Sequence, residues 1–419
     1  MSTRRLKVLA IVLAGGRGTR LMPLTANRSK PDIPFGPRHR IIDFVLSNLV
    51  NGGYRDIVVI TQYQNQSLDY YLRTAWHGRM VHEPAGAGGT SGSVRVTPVP
   101  SRQAPGADGG SADALYRNLD VIENAAPDHV LLFGADHVYR MDPRHLLDEH
   151  VAQGSGVTVA AVRQPLAIAD QLGVIDVAAE GRKIAAFREK PADATGLPDA
   201  ADQVYASMGN YAWRADALVD ALRSDAANTG SGHDIGGDLV PAMVAAGWAG
   251  VYDFATNPMS GSGAHGRGYW RDVGTLDAYH AAHMDVLGDE PVFDLADPAW
   301  PIGVPDAKCP ASSGPGTDTG NLMAPDVTVA GTVHRSVLSP GVRINRAAWV
   351  ESSILMNDVQ VGAGCLIRNA IIDRGANIAP GTQIGVDQRA DRHRYTVTTH
   401  GIVIVAQSQT RQPARVAPG

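Results

Sequence analysis

The segment "AGGRGTRL" (residues 14–21) packs three glycines and two arginines behind a short apolar run, and it is the first part of the chain equipped for chemistry. Glycine lets a backbone turn tightly and present its N–H groups to an anion with no Cβ in the way. Gly15, Gly16 and Gly18 therefore suit a phosphate cradle. Arg17 and Arg20 add fixed charge in the forked geometry that phosphate oxygens accept. Lys30, followed by Pro31, offers an ammonium on a stiffened segment. A Walker loop would end in Gly-Lys-Ser/Thr, and a dinucleotide fingerprint would need a glycine where Leu21 stands. A plain glycine turn leaves the paired arginines unexplained, so phosphate binding is the expectation.

Two carboxylates stand far apart in sequence. Asp136 in "FGADHVYRMDP" follows an apolar run, and Asp272 sits in "YWRDVGT". A carboxylate at the C-terminal end of a strand is well placed to hold Mg²⁺, which takes one or two protein carboxylates together with substrate phosphates. Asp113 in "SADA" and Asp142 in "RMDP" have comparable chemistry, and a helix cap is the preferred reading of Asp142. Glu189 and Lys190 are neighbours in "FREKP". On a strand they would face opposite ways, so that at its end one meets sugar hydroxyls and the other a phosphate; the alternative is an exposed, ion-pairing turn. The 14 histidines show no Cys/His zinc spacing. His280 and His283 share a helix face, and the histidines are read mostly as surface or satisfied core residues.

Such groups need a scaffold. "KVLAIVLA", "DIVVIT", "HVLLFG" and "GVTVAAV" are near-continuously apolar, as strands covered on both faces are. Between them "RIIDFVLSNLVNGGY" and "ADALYRNLDVIENA" carry apolar residues at helical spacing. Strand–helix alternation predicts an α/β, Rossmann-like domain over 1–290 with a mainly parallel sheet and ligands outside the strands' carboxyl ends. Residues 291–321, including the Gly/Ser/Thr/Pro-rich "KCPASSGPGTDTGN", read as a linker. Over 322–419 the periodicity changes. Val342, Ala348, Ile354, Leu366, Ile372, Ile378 and Ile384 fall on a six-residue grid, broken only by Gln360 with Val361 beside it. Six-residue apolar spacing with glycine-rich corners predicts a parallel β-helix of hexapeptide repeats. Its open faces favour a partner subunit, so a homo-oligomer, dimer or tetramer, is expected.

Composition narrows the function classes. A formal net charge of −5 disfavours nucleic acid as the main partner. No apolar run approaches the ~20 residues of a membrane span, and Val8 to Ala14 read as a buried strand rather than a signal peptide. Two cysteines, Cys309 and Cys365, are too few for a disulfide scaffold and fit a cytoplasmic protein.

"LAGGRGTRLMPLTANRSKP", "IIDFVLSNLVNGGY", "VITQYQ", "GSADAL", "FGADHVYRMDP", "FREKP", "YASMGNY", "HDIGGDLVP" and "YWRDVGTLDAYHAAHMD" occur in that order. Together they resemble the bacterial ADP-glucose pyrophosphorylase family of sugar-1-phosphate nucleotidylyltransferases, over nearly the whole chain. The resemblance implies that the β-helix is left-handed. It further implies attack of a sugar-like 1-phosphate on the α-phosphorus of a nucleoside triphosphate, with Mg²⁺ held by Asp136 and Asp272. Arg20, Lys30 and Lys190 would join those aspartates as the catalytic set. Gly15, Gly16, Gly18, Thr19, Arg20, Gln62, Asp108, Gly110 and Asp113 would bind the nucleotide. Gly173, Glu189, Lys190, Ser207, Asp234 and Trp270 would bind the sugar, Trp270 being equally readable as core.

The sequence departs from that family in two places. Where the family has Trp-aromatic-x-Gly immediately before "S/T-A-D-A", this chain reads "ADGG", Ala107 to Gly110, and both aromatics are missing. Losing the aromatic removes about 1–3 kcal/mol of base stacking. Asp108 could accept from guanine N1–H and N2–H₂, donors that adenine lacks. Two readings therefore stay open: ATP with glucose 1-phosphate, the family default, and GTP with valienol 1-phosphate, as in cyclitol-handling relatives. A non-catalytic regulatory subunit is a remote third. Asn27 replaces a lysine of activator-responsive members, leaving Arg28 and Arg40 as effector contacts.

Overall fold

The computed structural model describes residues 6–16, 18–62, 66–81, 92–102, 109–178, 181–259, 268–303 and 320–410. By internal contacts the chain forms two compact units, Met1–Gly16 with Phe44–Trp270, and Arg17–Asp43 with Arg271–Gly419. Among the described residues, no helix is long and apolar enough to cross a membrane.

The first unit is built on one sheet. Its strands are β1 (Val8–Ala14), β2 (Asp56–Thr61), β3 (Arg95–Pro100), β4 (His129–Gly134), β5 (Val157–Pro165), β6 (Gly173–Val177), β7 (Ile184–Glu189), β8 (Gln203–Arg214) and β9 (Ala249–Asp253). The spatial order is β7-β6-β8-β4-β1-β2-β3, with β5 pairing β8 and β9. β1 runs parallel to β2 and β4, and β2 to β3. The sheet is nonetheless mixed: β8 runs against β4, β5 and β6, and β6 against β7. The expected mainly parallel sheet is present over β1–β4 and again where β5 runs parallel to β9; an apolar run reveals that a strand is buried and not which way it points, so the antiparallel pairings at β8 and β6–β7 were not visible in it. Helices α1 (Ile42–Asn51), α2 (Ser111–Tyr116), α3 (Leu119–Ala125), α4 (Pro143–Gln153), α5 (Ala215–Ala226) and α6 (Val240–Ala245) connect the strands. Leu9, Ile11, Ile60, Val130, Leu132, Val159 and Trp213 share one buried core with Ala112, Leu115 and Ile122 of the helices. That burial fixes the strand ends against which a ligand would rest.

β8 carries an irregularity. Val159 pairs Tyr211 while Ala161 pairs Ser207, so β8 spends four residues where β5 spends two. Gly209 sits inside this bulge at φ +70°. Such bulges re-aim side chains next to functional sites.

In the second unit, three sheets of short parallel strands stack into a β-helix. Successive coils pair Val337 with Ile354 and Ile354 with Ile371, a 17-residue repeat. The corners repeat in step. Arg335, Ser352 and Asn369 (φ 43°, 46°, 44°), Gly341, Asp358 and Gly375 (76°, 62°, 66°) and Ala347, Gly364 and Gly381 (57°, 68°, 72°) form three ladders of left-handed residues. A 17-residue coil is one short of three hexapeptides, so a strict six-residue grid slips by one residue per coil. The inward stacks are Ile344–Val361–Ile378 and Val350–Ile367–Ile384. Leu366 of the expected grid is only half-buried and yields its inward place to Ile367.

Helix α7 (Leu276–Asp285) makes its contacts within this unit. Its Tyr279 hydroxyl donates to the Pro34 carbonyl (2.5 Å), and His283 Nε2 accepts from the Gly36 amide (3.0 Å). His280 Nε2 lies 2.7 Å from the Ser352 carbonyl on the β-helix. The described part of the expected linker is not bare either, since Phe293, Leu295, Trp300 and Ile302 are buried. Residues 304–319 of that linker, with Cys309, lie outside the described residues.

Candidate active site

The first unit has a cleft of about 420 Å³ at the C-terminal ends of β1, β2 and β4. Gly15, Gly16, Gln62, Gly110, Asp136 and Asp234, all expected site residues, line it. Gly15 must lack a side chain, because a Cβ there would overlap the Gln62 carboxamide. Gly16 has φ +100°, which glycine adopts without strain. Asp136 follows β4, its side chain 35% exposed, with His137 Nε2 3.3 Å from its carboxylate. The His137 ring lies against Gly134 and Gly209, where a Cβ would come within 3.3 and 3.4 Å of its Cε1. Trp270 packs on the other side, its ring centre 4.7 Å from that of His137. Trp270 thus supports His137 as core would.

The sugar-side candidates gather around the bulge. Gly209 N–H donates to Ser207 Oγ (3.2 Å), and Tyr211 lines the cleft. Burial pushes the Tyr211 hydroxyl up to about 12; a Ser207 hydrogen bond opposes this, and the Asp234 and Glu189 charges add to it. Those two carboxylates therefore act on one phenol. Asp234 Oδ1 accepts from the Gly237 amide (2.8 Å) and caps a wide helical turn, Ile235–Leu239. Wide turns of this kind are frequent at functional sites. Gly173 pairs Glu189 across β6 and β7, and a Cβ at Gly173 would stand 3.2 Å from the Glu189 carboxylate.

Glu189 and Lys190 do not face opposite ways. Lys190 leaves the strand at φ +48°, which swings its ammonium back to Glu189 Oε1 at 2.6 Å. Both side chains stay more than half exposed, so the ion pair lies open to solvent and to a ligand. Asp113 is not among the cleft's lining residues; it pairs with Arg117 one turn further along α2 (2.8 Å). Asp142 caps α4 by accepting from the Arg144 amide (3.0 Å). Asp108 and Arg17 lie outside the described residues.

The second unit assembles the cationic candidates. Gly18, at φ +59°, opens a tight turn, Thr19–Leu21. A Cβ at Gly18 would stand 3.2 Å from Lys30 Cβ. Lys30 is buried, 7% exposed, and donates to Asp272 Oδ1 (2.9 Å). Gly274 keeps room for both Asp272 and Arg20, since a Cβ there would sit 2.7 Å from the Asp272 carboxylate and 3.0 Å from the Arg20 guanidinium. Arg20, Lys30 and Asp272 are thus grouped. The two arginines set aside for an effector are engaged: Arg28 with Asp373 (2.6 Å) and Arg40 with Asp32. His283 is neutral core, its Nδ1 donating to the Tyr279 carbonyl while burial holds its pKa down to about 3.

Ser111, His137, Gly209 and Tyr211 line the cleft without having been singled out from sequence. Each lies inside or beside a motif already noticed, "GSADAL", "FGADHVYRMDP" or "YASMGNY", and only the bulge and the glycine-bared ring contact single them out.

Comparison with known proteins agrees with this geometry. Residues 9–288 match the family model described as nucleotidyl transferase, and residues 308–405 match that of the GlmU-like C-terminal hexapeptide. The glucose-1-phosphate adenylyltransferase of Frankia casuarinae is 48% identical over 415 residues, 96% of this chain and 98% of the relative. Those of Acidothermus cellulolyticus and Cutibacterium acnes are 48% and 46% identical, each covering 98% of this chain and 99% of the relative.

Proposed function

The chain belongs to the nucleotidyl transferase family, among the glucose-1-phosphate adenylyltransferases, and from that premise we propose that it joins ATP and glucose 1-phosphate into ADP-glucose and pyrophosphate. The observation that carries the reading is the cleft itself, where a bare glycine turn, the carboxylate of Asp136 and the carboxylate of Asp234 share one space at the strand ends. A phosphate oxygen of the sugar attacks the α-phosphorus in line, a P–O bond forms, the α–β bridging bond breaks and pyrophosphate leaves. No protein atom need become covalently attached. Positioning and charge neutralisation supply the rate.

Gly15 and Gly16 amides and the Arg20 and Lys30 cations take the triphosphate, and Lys190 takes the sugar phosphate once it is drawn from Glu189. Asp234, Glu189 and Ser207 accept from sugar hydroxyls, with Tyr211 as a further contact. Asp136 and Asp272 present hard carboxylate oxygens and no thiolate, a donor set that suits Mg²⁺. When bound, Mg²⁺ neutralises developing phosphate charge. Asp136→Asn, which keeps the shape and removes the charge, should lower kcat about 10²-fold or more; an unchanged rate refutes the assignment.

The guanylyl, valienol-phosphate alternative has no support among the relatives above, which bear the adenylyl name. A matrix of ATP, GTP, UTP and dTTP against glucose 1-phosphate and cyclitol 1-phosphates, read by pyrophosphate release, tests the choice. GTP dependence without ADP-glucose would refute the reading adopted. The two-cysteine composition supports a cytoplasmic location. Trp349, 41% exposed on the β-helix, supports assembly of like chains there. Light scattering tests the assembly.

A further inference from the structure

We propose that Ser111, His233 and Asp225 form a latch tying the start of α2, on the nucleotide side of the cleft, to the Asp234 carboxylate on its sugar side. Asp225 and His233 are then positioning residues for the sugar phosphate, although neither lines the cleft. The proposal rests on the adenylyl-transfer reading above.

A helix start leaves amide donors that a local side chain usually satisfies. α2 has no such cap: Gly110 stands at the cap position. The His233 carbonyl, over a hundred residues later, accepts from the amides of Ala112 (2.8 Å) and Asp113 (3.3 Å) instead. Gly110 makes the approach possible, since a Cβ there would overlap the His233 carbonyl and stand 2.7 Å from that of Gly232. Ser111 completes the tie. Its hydroxyl donates to Asp234 Oδ2 (2.8 Å) and accepts from the Ile235 amide (2.9 Å). With Gly237 N–H on Oδ1, both Asp234 oxygens are oriented, and each keeps a lone pair for a sugar hydroxyl.

Something must hold His233 in place, because its φ of +54° is an unfavourable, left-handed conformation for a side-chain-bearing residue. Its amide donates to Ser231 Oγ (2.9 Å), and Ser231 donates to Asp225 Oδ1 (2.5 Å). The second oxygen of Asp225 binds His233 Nδ1 at 2.8 Å, and the Asp225 side chain is only 10% exposed. Asp225, anchored on α5, thus holds His233, which touches both sides. A displacement of His233 moves the α2 start and Asp234 together.

The test uses the full chain with Ser111→Ala, Asp225→Asn and the double variant, after thermal melts confirm folding; Ser231→Ala replaces Asp225→Asn if that variant fails to fold. Each single change should raise the KM for glucose 1-phosphate roughly tenfold, the effect of one hydrogen bond to a charged group. The double variant should be no worse than about the poorer single, because both cut the same tie. Multiplying effects, or an unmoved sugar KM, overturn the latch. Amide exchange in the ligand-free chain gives an activity-independent readout: Asp225→Asn should speed exchange at Ala112 about tenfold, and unchanged exchange also overturns it. Failure of the parent chain to make ADP-glucose would instead refute the function and leave the exchange result to decide the latch.

Discussion

Arg28→Met should lower the thermal midpoint of the chain by roughly 6–12 °C, and adding Asp373→Leu should recover most of that loss. The two side chains are 9% and 13% exposed and 2.6 Å apart. At an effective dielectric constant of ~20, attraction at that distance is about 6 kcal/mol, most of it offset by desolvating both ions. Removing one partner of such a pair costs about 3–5 kcal/mol because the other stays buried and uncompensated. Asp373 keeps one donor, the Arg374 amide at 2.9 Å, which argues for the lower end, about 3 kcal/mol. At roughly 2–4 °C per kcal/mol for a domain of this size, the stated shift follows. Two apolar residues leave no stranded charge, so the double change should cost about 1 kcal/mol or less. The pair also joins the segment carrying Gly18, Arg20 and Lys30 to the β-helix, so Arg28→Met should raise the KM for ATP. The assay is differential scanning calorimetry of parent, single and double variants, with ATP kinetics alongside. Equal midpoints for single and double variants would refute the reasoning, because they would show that the charge left behind costs nothing.

Gly110→Ala should reduce kcat/KM about 10²-fold. The new Cβ overlaps the His233 carbonyl, and losing two or three hydrogen bonds at about 1 kcal/mol each accounts for the size; steady-state kinetics check it, and a fully active variant would show that the approach is dispensable. Stability should also fall as pH drops below about 6.5. Burial holds His283 near 3 and His150 near 4, so in the acid range the unfolded chain binds protons that the folded chain refuses. The sign is a loss of stability with acid, at about 1.4 kcal/mol per pH unit for each group. The full stability should be present above pH 6.5 and be lost progressively below it. Urea melts at pH 7 and pH 5 measure it, and His283→Gln should flatten the slope relative to the parent.

Gly15 and Gly16 were legible as cleft residues because the pattern around them is local. Three glycines and two arginines in eight residues have few other uses, and the cleft does contain Gly15 and Gly16. Asp136 was legible for the same reason, since an apolar run fixes where a strand ends and therefore where the next carboxylate stands. Lys190 shows the limit. Alternation along a strand predicts opposite faces, yet one residue at φ +48° places its ammonium on its neighbour's carboxylate. The ψ and φ of a strand's last step are set by what receives the chain next, and no pattern in "FREKP" records that.

The same limit explains the β-helix grid and the latch together. A six-residue period is visible because it is short, but the coil closes at 17 residues, and the missing residue is absorbed at left-handed corners such as Ser352 and Ala347 that carry no glycine. The periodicity therefore announces the fold and misassigns Leu366. At the site, "ADGG" reads as a lost aromatic platform, a statement about the base. In the folded chain its last glycine, Gly110, has another use: it admits the His233 carbonyl to the start of α2. That need arises from a contact more than a hundred residues away in sequence. The aromatics of the family fall at Ala107 and Asp108, while Gly110 stands where the family also has glycine; that this glycine must stay bare is visible only in the fold.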